Sequence, residues 1–169
     1  MSDLRIGNGY DIHRLVNDKP LILGNVNIPF HSGLLAHSDG DVLIHAIIDS
    51  LLGAANLGDI GTHFPDNDPQ YKGMDSSVLL KKTVDLLHEK KFEIINIDTI
   101  IICEKPRLKE FIPSIKSRLA GIIGVNPEVI SVKAKTKEQM DATGAGEAME
   151  AYSISLIRRK KVEWGNNGQ

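Results

Sequence analysis

The stretch Ile94-Ile95-Asn96-Ile97-Asp98-Thr99-Ile100-Ile101-Ile102-Cys103 constrains the fold more than any other part of this chain. It is rich in branched apolar residues and too short to cross a bilayer, so it reads as a central strand covered on both faces. A strand of that kind needs further strands beside it and helices above it. The flanking patterns supply both. Leu4 to Ile12 predicts a first strand, and the turn pair Gly24-Asn25 between Leu21–Leu23 and Val26–Ile28 predicts a hairpin.

From Asp39 the period changes. Leu43, Ile44, Ile47, Ile48, Leu51 and Leu52 recur at helical spacing, with Ser38 or Asp39 as N-cap, Asp41 in the first turn, and an end near Gly53-Ala54-Ala55. Asp75 caps a second helix with Leu79, Leu80, Thr83, Val84 and Leu87 on its inner face. A third helix starts or kinks at Pro113 and stops at Gly124. Val129 to Lys135 alternates, with Ile130, Val132 and Ala134 on one face. Ala151 to Ile157 also alternates, setting Tyr152, Ile154 and Leu156 against Ala151, Ser153 and Ser155. The small or polar face of this last strand is expected to meet water or another subunit. The whole is an α/β (α+β sandwich) fold, a mixed β-sheet with helices on one face. Residues 1–160 form one domain and 161–169 a flexible C-terminal tail. The connection from Gly58 to Gly73, rich in Gly, Pro and Asp, is long enough to be functional.

Composition narrows the function classes. Twenty Lys and Arg against 22 Asp and Glu give a net charge of -2, which supplies no field for a nucleic-acid backbone. No apolar stretch spans a membrane, and the first residues lack the pattern of a signal peptide. The single cysteine, Cys103, lies in an apolar run and reads as a small buried residue, not a nucleophile. A cytoplasmic protein without nucleic-acid or membrane partners follows.

The chemistry-bearing residues cluster. Asp11 and His13 are two apart on a predicted strand end and share a side. His45 sits at the margin of the helix's buried face, with Asp41 and Asp49 one turn away on either side and Asp49 the natural acceptor for its second N–H. A carboxylate and two imidazoles suit zinc, and three protein ligands leave the fourth tetrahedral position open. His37, Ser38 and the free N–H groups of the helix start make an anion site. Farther on, Lys133, Lys135, Thr136 and Glu138 combine cations, a hydroxyl and a carboxylate able to hold magnesium against phosphate oxygens.

These motifs form a recognisable set: Gly9-Tyr10-Asp11-Ile12-His13-Arg14, Leu35-Ala36-His37-Ser38-Asp39-Gly40-Asp41 through His45, Gly53 to Gly61 with Phe64-Pro65-Asp66, and Lys133-Ala134-Lys135-Thr136 with Glu138 and Thr143-Gly144. Over about Leu4 to Arg158 the chain resembles the 2-C-methyl-D-erythritol 2,4-cyclodiphosphate synthases of the non-mevalonate isoprenoid pathway. The resemblance implies a phosphorus-oxygen lyase acting on a cytidine diphosphate ester of methylerythritol 2-phosphate: the 2-phosphate attacks the β-phosphorus and CMP leaves. It implies a homotrimer, with sheets packed together and active sites at the subunit interfaces. Asp11, His13 and His45 would bind zinc, and Glu138 a second divalent ion, Mg2+ or Mn2+. His37 and Ser38 would hold the attacking phosphate, and Thr136, Ala134 and Lys135 the nucleotide phosphates. Asp59, Gly61 and Asp66 would lie near the methylerythritol, and Cys103 to Lys109 around Pro106 would enclose cytosine and ribose. His37, Thr136 and Glu138 carry the catalytic work in this reading. Ala145 departs from the pattern, since many relatives carry arginine there for an isoprenoid diphosphate in the central cavity. A metal-dependent phosphohydrolase and a non-catalytic trimeric small-molecule binding protein are the competing readings.

Overall fold

The computed structural model describes residues 3–160. Five strands form one mixed sheet in the order β4-β1-β7-β5-β6, from β1 (Leu4–Asn17), β4 (Ser32–Leu35), β5 (Phe92–Ile102), β6 (Ile130–Lys135) and β7 (Ala148–Arg159). Only β5 and β6 run parallel, and α4 (Ile112–Ile123) connects them. The hairpin of β2 (Leu21–Leu23) and β3 (Val26–Ile28) turns at Gly24-Asn25 as expected. Both turn residues adopt positive φ.

Helices α1 (Val42–Ala55), α3 (Ser76–Glu89) and α4 lie with that hairpin on one sheet face. The inner residues foreseen for α3 are all buried, and Asp75 caps it through the Ser77 N–H at 2.8 Å. Helix α4 begins one residue before Pro113 and ends at Gly124 in the left-handed region. Between α1 and α3 the long connection folds into α2 (Ile60–His63) and one 3-10 turn, Pro69–Tyr71. A further short helix, α5 (Asp141–Gly144), precedes β7. None of the helices among the described residues is long and apolar enough to cross a membrane.

Several expectations are corrected. Strand β1 continues to Asn17, because β4, unforeseen in the sequence, pairs with Arg14 to Asn17 and extends its ladder. Strand β5 is not central: β7 holds the middle of the sheet. Nor is β5 covered on both faces, since Ile97, Thr99 and Ile101 point to the helices while Ile100, Ile102 and Asp98 on the other face stay partly exposed within the chain. Helix α1 is capped by Asp41, not by Ser38 or Asp39. Gly40, at φ +80°, bends the chain just ahead of it, and the Asp41 carboxylate accepts the Ile44 N–H at 3.1 Å.

The largest reversal concerns β7. Its small face is the buried one: Ala151, Ser153 and Ser155 press on α1, where the Ser50 hydroxyl lies 2.9 Å from that of Ser153 and 2.6 Å from that of Ser155. The reason is close approach. A Cβ on Gly7 would stand 2.0 Å from the Ser50 carbonyl oxygen, and one on Gly9 would stand 2.0 Å from that of Ala46. Small residues on β1 and β7 therefore let α1 settle onto the sheet, which leaves Tyr152 and Ile154 outside, beside Leu4, Ile6, Tyr10 and Ile12. The basic run at the end of β7 is exposed through Lys160; Lys161 and the expected tail lie outside the described residues.

Candidate metal centre and adjoining cavities

The seating of α1 brings its first turn against the inner face of β1, and the metal-ligand chemistry arises there. Asp11 and His13 project from β1 on the same side as Gly7 and Gly9, and His45 meets them from the helix. The His13 Nε2 and His45 Nδ1 atoms are 3.0 Å apart. Asp11 Oδ2 lies 3.0 Å from the first and 2.9 Å from the second. Around tetrahedral zinc, with bonds of about 2.0–2.1 Å, adjacent ligand atoms stand roughly 3.3 Å apart, so this triangle is close to the size of a three-ligand face.

Hydrogen bonding alone does not satisfy the triangle. Each ring nitrogen either carries a proton or a lone pair, so at most two of the three edges can be hydrogen bonds, and the third sets proton against proton or lone pair against anion. A cation on all three atoms removes that conflict. Burial alone would raise the Asp11 pKa, but the hydrogen bonds with His13 and His45 hold it well below the usual carboxylate range. Burial would likewise lower His45, yet bonding to Asp11 and the Asp11 charge raise it. The site thus concentrates negative potential where a cation would sit.

A cavity of about 280 Å³ opens on the triad. His37, Ser38, Gly61 and Asp66 join its wall, together with Ile60, Phe64, Tyr71 and Leu79, which the sequence did not single out as site residues. Ile60 and Phe64 fall inside the recognised motifs, Tyr71 lies on the long connection, and Leu79 reads only as helix core. The His37 Nε2 is buried without a hydrogen-bond partner.

Four parts of the expected site are arranged differently. At the α1 N-terminus the Asp41 carboxylate already takes the Ile44 N–H, and it also takes those of Gly24 and Asn25 at 3.0 and 2.7 Å. Burial pushes Asp41 up to about 6 against these bonds. Asp49 does not accept from His45. It accepts the Ile60 N–H at 2.8 Å and tethers α2, while His45 Nε2 faces the hydroxyls of Ser38 and Ser76, each at 3.0 Å. Asp59 is absent from the cavity wall and caps α2, with Oδ1 accepting from the Thr62 N–H and hydroxyl at 2.8 and 2.7 Å. The cations of the second cluster are not all free: Lys133 pairs with Asp98 at 2.5 Å, and the neighbouring Lys137 pairs with the buried Glu150 at 2.7 Å.

A second cavity, of about 200 Å³, gathers Cys103, Pro106, Lys109, Ala134, Lys135 and Thr136. The Cys103 thiol faces the Pro106 carbonyl at 3.7 Å, and burial pushes its pKa up to about 11, so it is an inert wall. Thr136 donates to Glu138, which stands in the left-handed region at φ +52°. The two cavities share no lining residue. Three strand spacings separate β1 from β6, a lateral distance of about 14 Å.

Comparison with known proteins finds relatives over nearly the whole chain. The model of the YgbB family matches residues 4–158. A 2-C-methyl-D-erythritol 2,4-cyclodiphosphate synthase of Fusobacterium nucleatum is 50% identical over 158 residues, covering 94% of this chain and 99% of its own. Among solved structures, the bifunctional IspDF of Campylobacter jejuni superposes with a TM-score of 0.92 at 39% identity, covering 95% of this chain and 44% of the longer one. The CDP complex of Plasmodium falciparum IspF superposes with a TM-score of 0.83 at 34% identity over 95% of this chain and 99% of that one.

Proposed function

The chain belongs to the YgbB family, and from that membership and the open three-ligand triad we propose that it converts 4-diphosphocytidyl-2-C-methyl-D-erythritol 2-phosphate to 2-C-methyl-D-erythritol 2,4-cyclodiphosphate and CMP. An oxygen of the substrate's 2-phosphate bonds to the β-phosphorus while the bridging P–O bond to the α-phosphate breaks, and CMP carries that bridging oxygen away. The nucleophile is already anionic, so no side chain has to remove a proton. The protein's task is to place the two ends in line and to accommodate their charge.

Asp11, His13 and His45 hold zinc and Glu138 a second divalent ion, Mg2+ or Mn2+, and these cations, when bound, supply Lewis-acid neutralisation of the diphosphate. His37 and Ser38 hold the attacking 2-phosphate; their place on the wall of the cavity that opens on the triad supports this assignment. Gly61 and Asp66 line the space for the methylerythritol, and Asp59 supports that wall by capping α2. Pro106 and Lys109 enclose the cytidine with the backbone of Cys103, while Ala134, Lys135 and Thr136 contact its phosphates. The Thr136 hydroxyl, bonded to Glu138, orients that carboxylate.

The active site is shared between subunits of a homotrimer. Two observations support this reading: the cavities stand three strands apart within one chain, and the outer sheet face exposes Ile6 (72%), Ile154 (53%), Tyr10 and Tyr152 side by side. An apolar face of that kind is what a subunit contact covers. The cytoplasm suits the buried, unpaired Cys103 thiol and the lack of a membrane-spanning helix among the described residues.

The observation that carries the function is the triad of Asp11, His13 and His45 facing an open cavity, with no fourth protein ligand in the group among the described residues. Incubating purified protein with the cytidine diphosphate substrate, zinc and magnesium should release CMP and the cyclic diphosphate in equal amounts. Release of inorganic phosphate in their place would establish a phosphohydrolase instead. Binding without any turnover would establish a small-molecule binding protein.

A further inference from the structure

We propose that Ser76, held by Asp39, is a positioning residue that fixes His45 in the tautomer able to bind metal. The argument starts from the Asp39 carboxylate, which joins the loop ahead of α1 to the start of α3. Its Oδ2 accepts the Ser76 N–H at 2.9 Å, and its Oδ1 accepts the Asp41 N–H at 3.2 Å and the Ser76 hydroxyl at 2.5 Å. A carboxylate accepts only, so the single Ser76 hydroxyl proton is committed to Asp39. What Ser76 turns toward His45 is therefore lone-pair density, 3.0 Å from Nε2.

That fixes the ring. Nε2 is the nitrogen that carries the proton, since a bare nitrogen there would set its lone pair against the Ser76 oxygen even if Ser38 donated to it, whereas an N–H satisfies both hydroxyl oxygens. The neutral imidazole then has its lone pair on Nδ1, the atom 2.9 Å from Asp11 Oδ2 and 3.0 Å from His13 Nε2. Ser38 also lies 3.0 Å from Nε2 and shares the same N–H, which leaves its own hydroxyl proton free for the cavity. Ser76 and His45 are both buried, so water cannot replace the missing partner. The arrangement gives the serine and aspartate the role that outer carboxylates have around other metal-bound histidines. Nothing in the local sequence marks it: Ser76 reads as a helix's first residue, and the contact spans 31 positions.

This inference rests on the reading of Asp11, His13 and His45 as ligands, and the test separates the two. Zinc affinity is measured on the full chain by chelator competition for the unmutated protein, Ser76→Ala, Asp39→Asn, the double variant and Ser38→Ala. Ser76→Ala keeps the backbone N–H that Asp39 accepts, so the α3 start survives, and urea midpoints monitor the fold. Ser76→Ala should weaken zinc by about 10- to 100-fold, and Ser38→Ala by less than about threefold. The double variant should be no worse than the weaker single one, because both act along one chain of bonds. In zinc-loaded, 15N-histidine-labelled protein, the His45 Nε2–H should exchange with solvent at least tenfold faster in Ser76→Ala. Ser76→Ala binding zinc as the unmutated protein does, or losses that multiply in the double variant, would overturn the relay alone. Failure of the unmutated chain to bind zinc would overturn the ligand reading as well.

Discussion

Gly9→Ala tests how the fold builds its metal centre. The added Cβ would stand 2.0 Å from the Ala46 carbonyl oxygen, 2.8 Å from the Ser50 nitrogen and 3.0 Å from the Ala46 carbonyl carbon. All three are helix backbone, so no side chain can swing away. Restoring even the 3.0 Å that real Cβ contacts respect requires α1 to rise from β1 by at least 1.0 Å, the difference between the two distances. His45 adjoins Ala46, and ligand distances at a metal tolerate only about 0.2 Å, so the triad opens well beyond what a cation can bridge. Overpacking a core costs about 1–3 kcal/mol where side chains can adjust, and a backbone clash belongs at or above the upper end. We expect a loss of about 3 kcal/mol in urea unfolding at fixed protein concentration, with zinc content falling to near zero. Gly121→Ala is the control: its Cβ meets nothing within 4 Å on the exposed side of α4, and it should gain about 0.5–1 kcal/mol. If Gly9→Ala unfolds within about 1 kcal/mol of the unmutated protein and keeps its zinc, close seating of α1 is not what assembles the site.

Glu138→Gln should retain zinc but lose most turnover, because a neutral amide weakens the second cation; an unchanged rate across a magnesium titration would make Glu138 a surface residue only. Lys137→Gln should lower stability at neutral pH by leaving Glu150 buried without its cation, read as a lower urea midpoint. Burial alone would raise Glu150, but Lys137 holds it below the usual glutamate range, so the pair's contribution is complete at neutral pH and fades as pH falls through the lowered value; urea unfolding should show the gap between the two proteins closing in acid. His45→Ala and Glu138→Ala chains, unfolded together and reassembled in equal amounts, should regain roughly a quarter of the unmutated activity, since each mixed cyclic trimer has one interface with both halves intact. Mixed trimers without activity would put both halves of the site on one chain.

The legible parts of the fold were those fixed by local pattern. The hairpin at Gly24-Asn25, the inner face of α3 and the stop at Gly124 all depend on turn chemistry or on a period within one element. The pairing of Asp11 with His13 was legible for the same reason. Partners far apart in sequence were not. Alternation along β7 separates its two faces without saying which is inside, and hydrophobicity points the wrong way: the serines are buried because α1 packs within reach of them, and the tyrosine and isoleucines are left outside. The partner of His45 was misassigned by the same limitation. Helical spacing puts Asp49 one turn away, but the ring faces Ser76, which a different helix supplies. Asp41 looked like a first-turn residue because nothing local reveals that Gly40 turns the chain just before it.

The reversed face of β7 connects fold and function. Had the large side chains of β7 pointed inward, α1 would stand farther from β1, and His45 would be out of reach of Asp11 and His13. Packing α1 against a strip of glycine, alanine and serine makes the three-ligand triad possible, and the period of two then forces the large residues of β1 and β7 to the opposite face. That face remains to be covered, and the second cavity lies at the far edge of the same sheet, about 14 Å from the first in lateral distance. In the proposed ring both needs are met by one contact: a neighbour that covers the outer face can also present its nucleotide cavity to the metal-facing one. Placing a doubly charged leaving group on one subunit and the attacking phosphate on another lets each wall be rigid by itself, with alignment set by the interface and not by a flexible hinge.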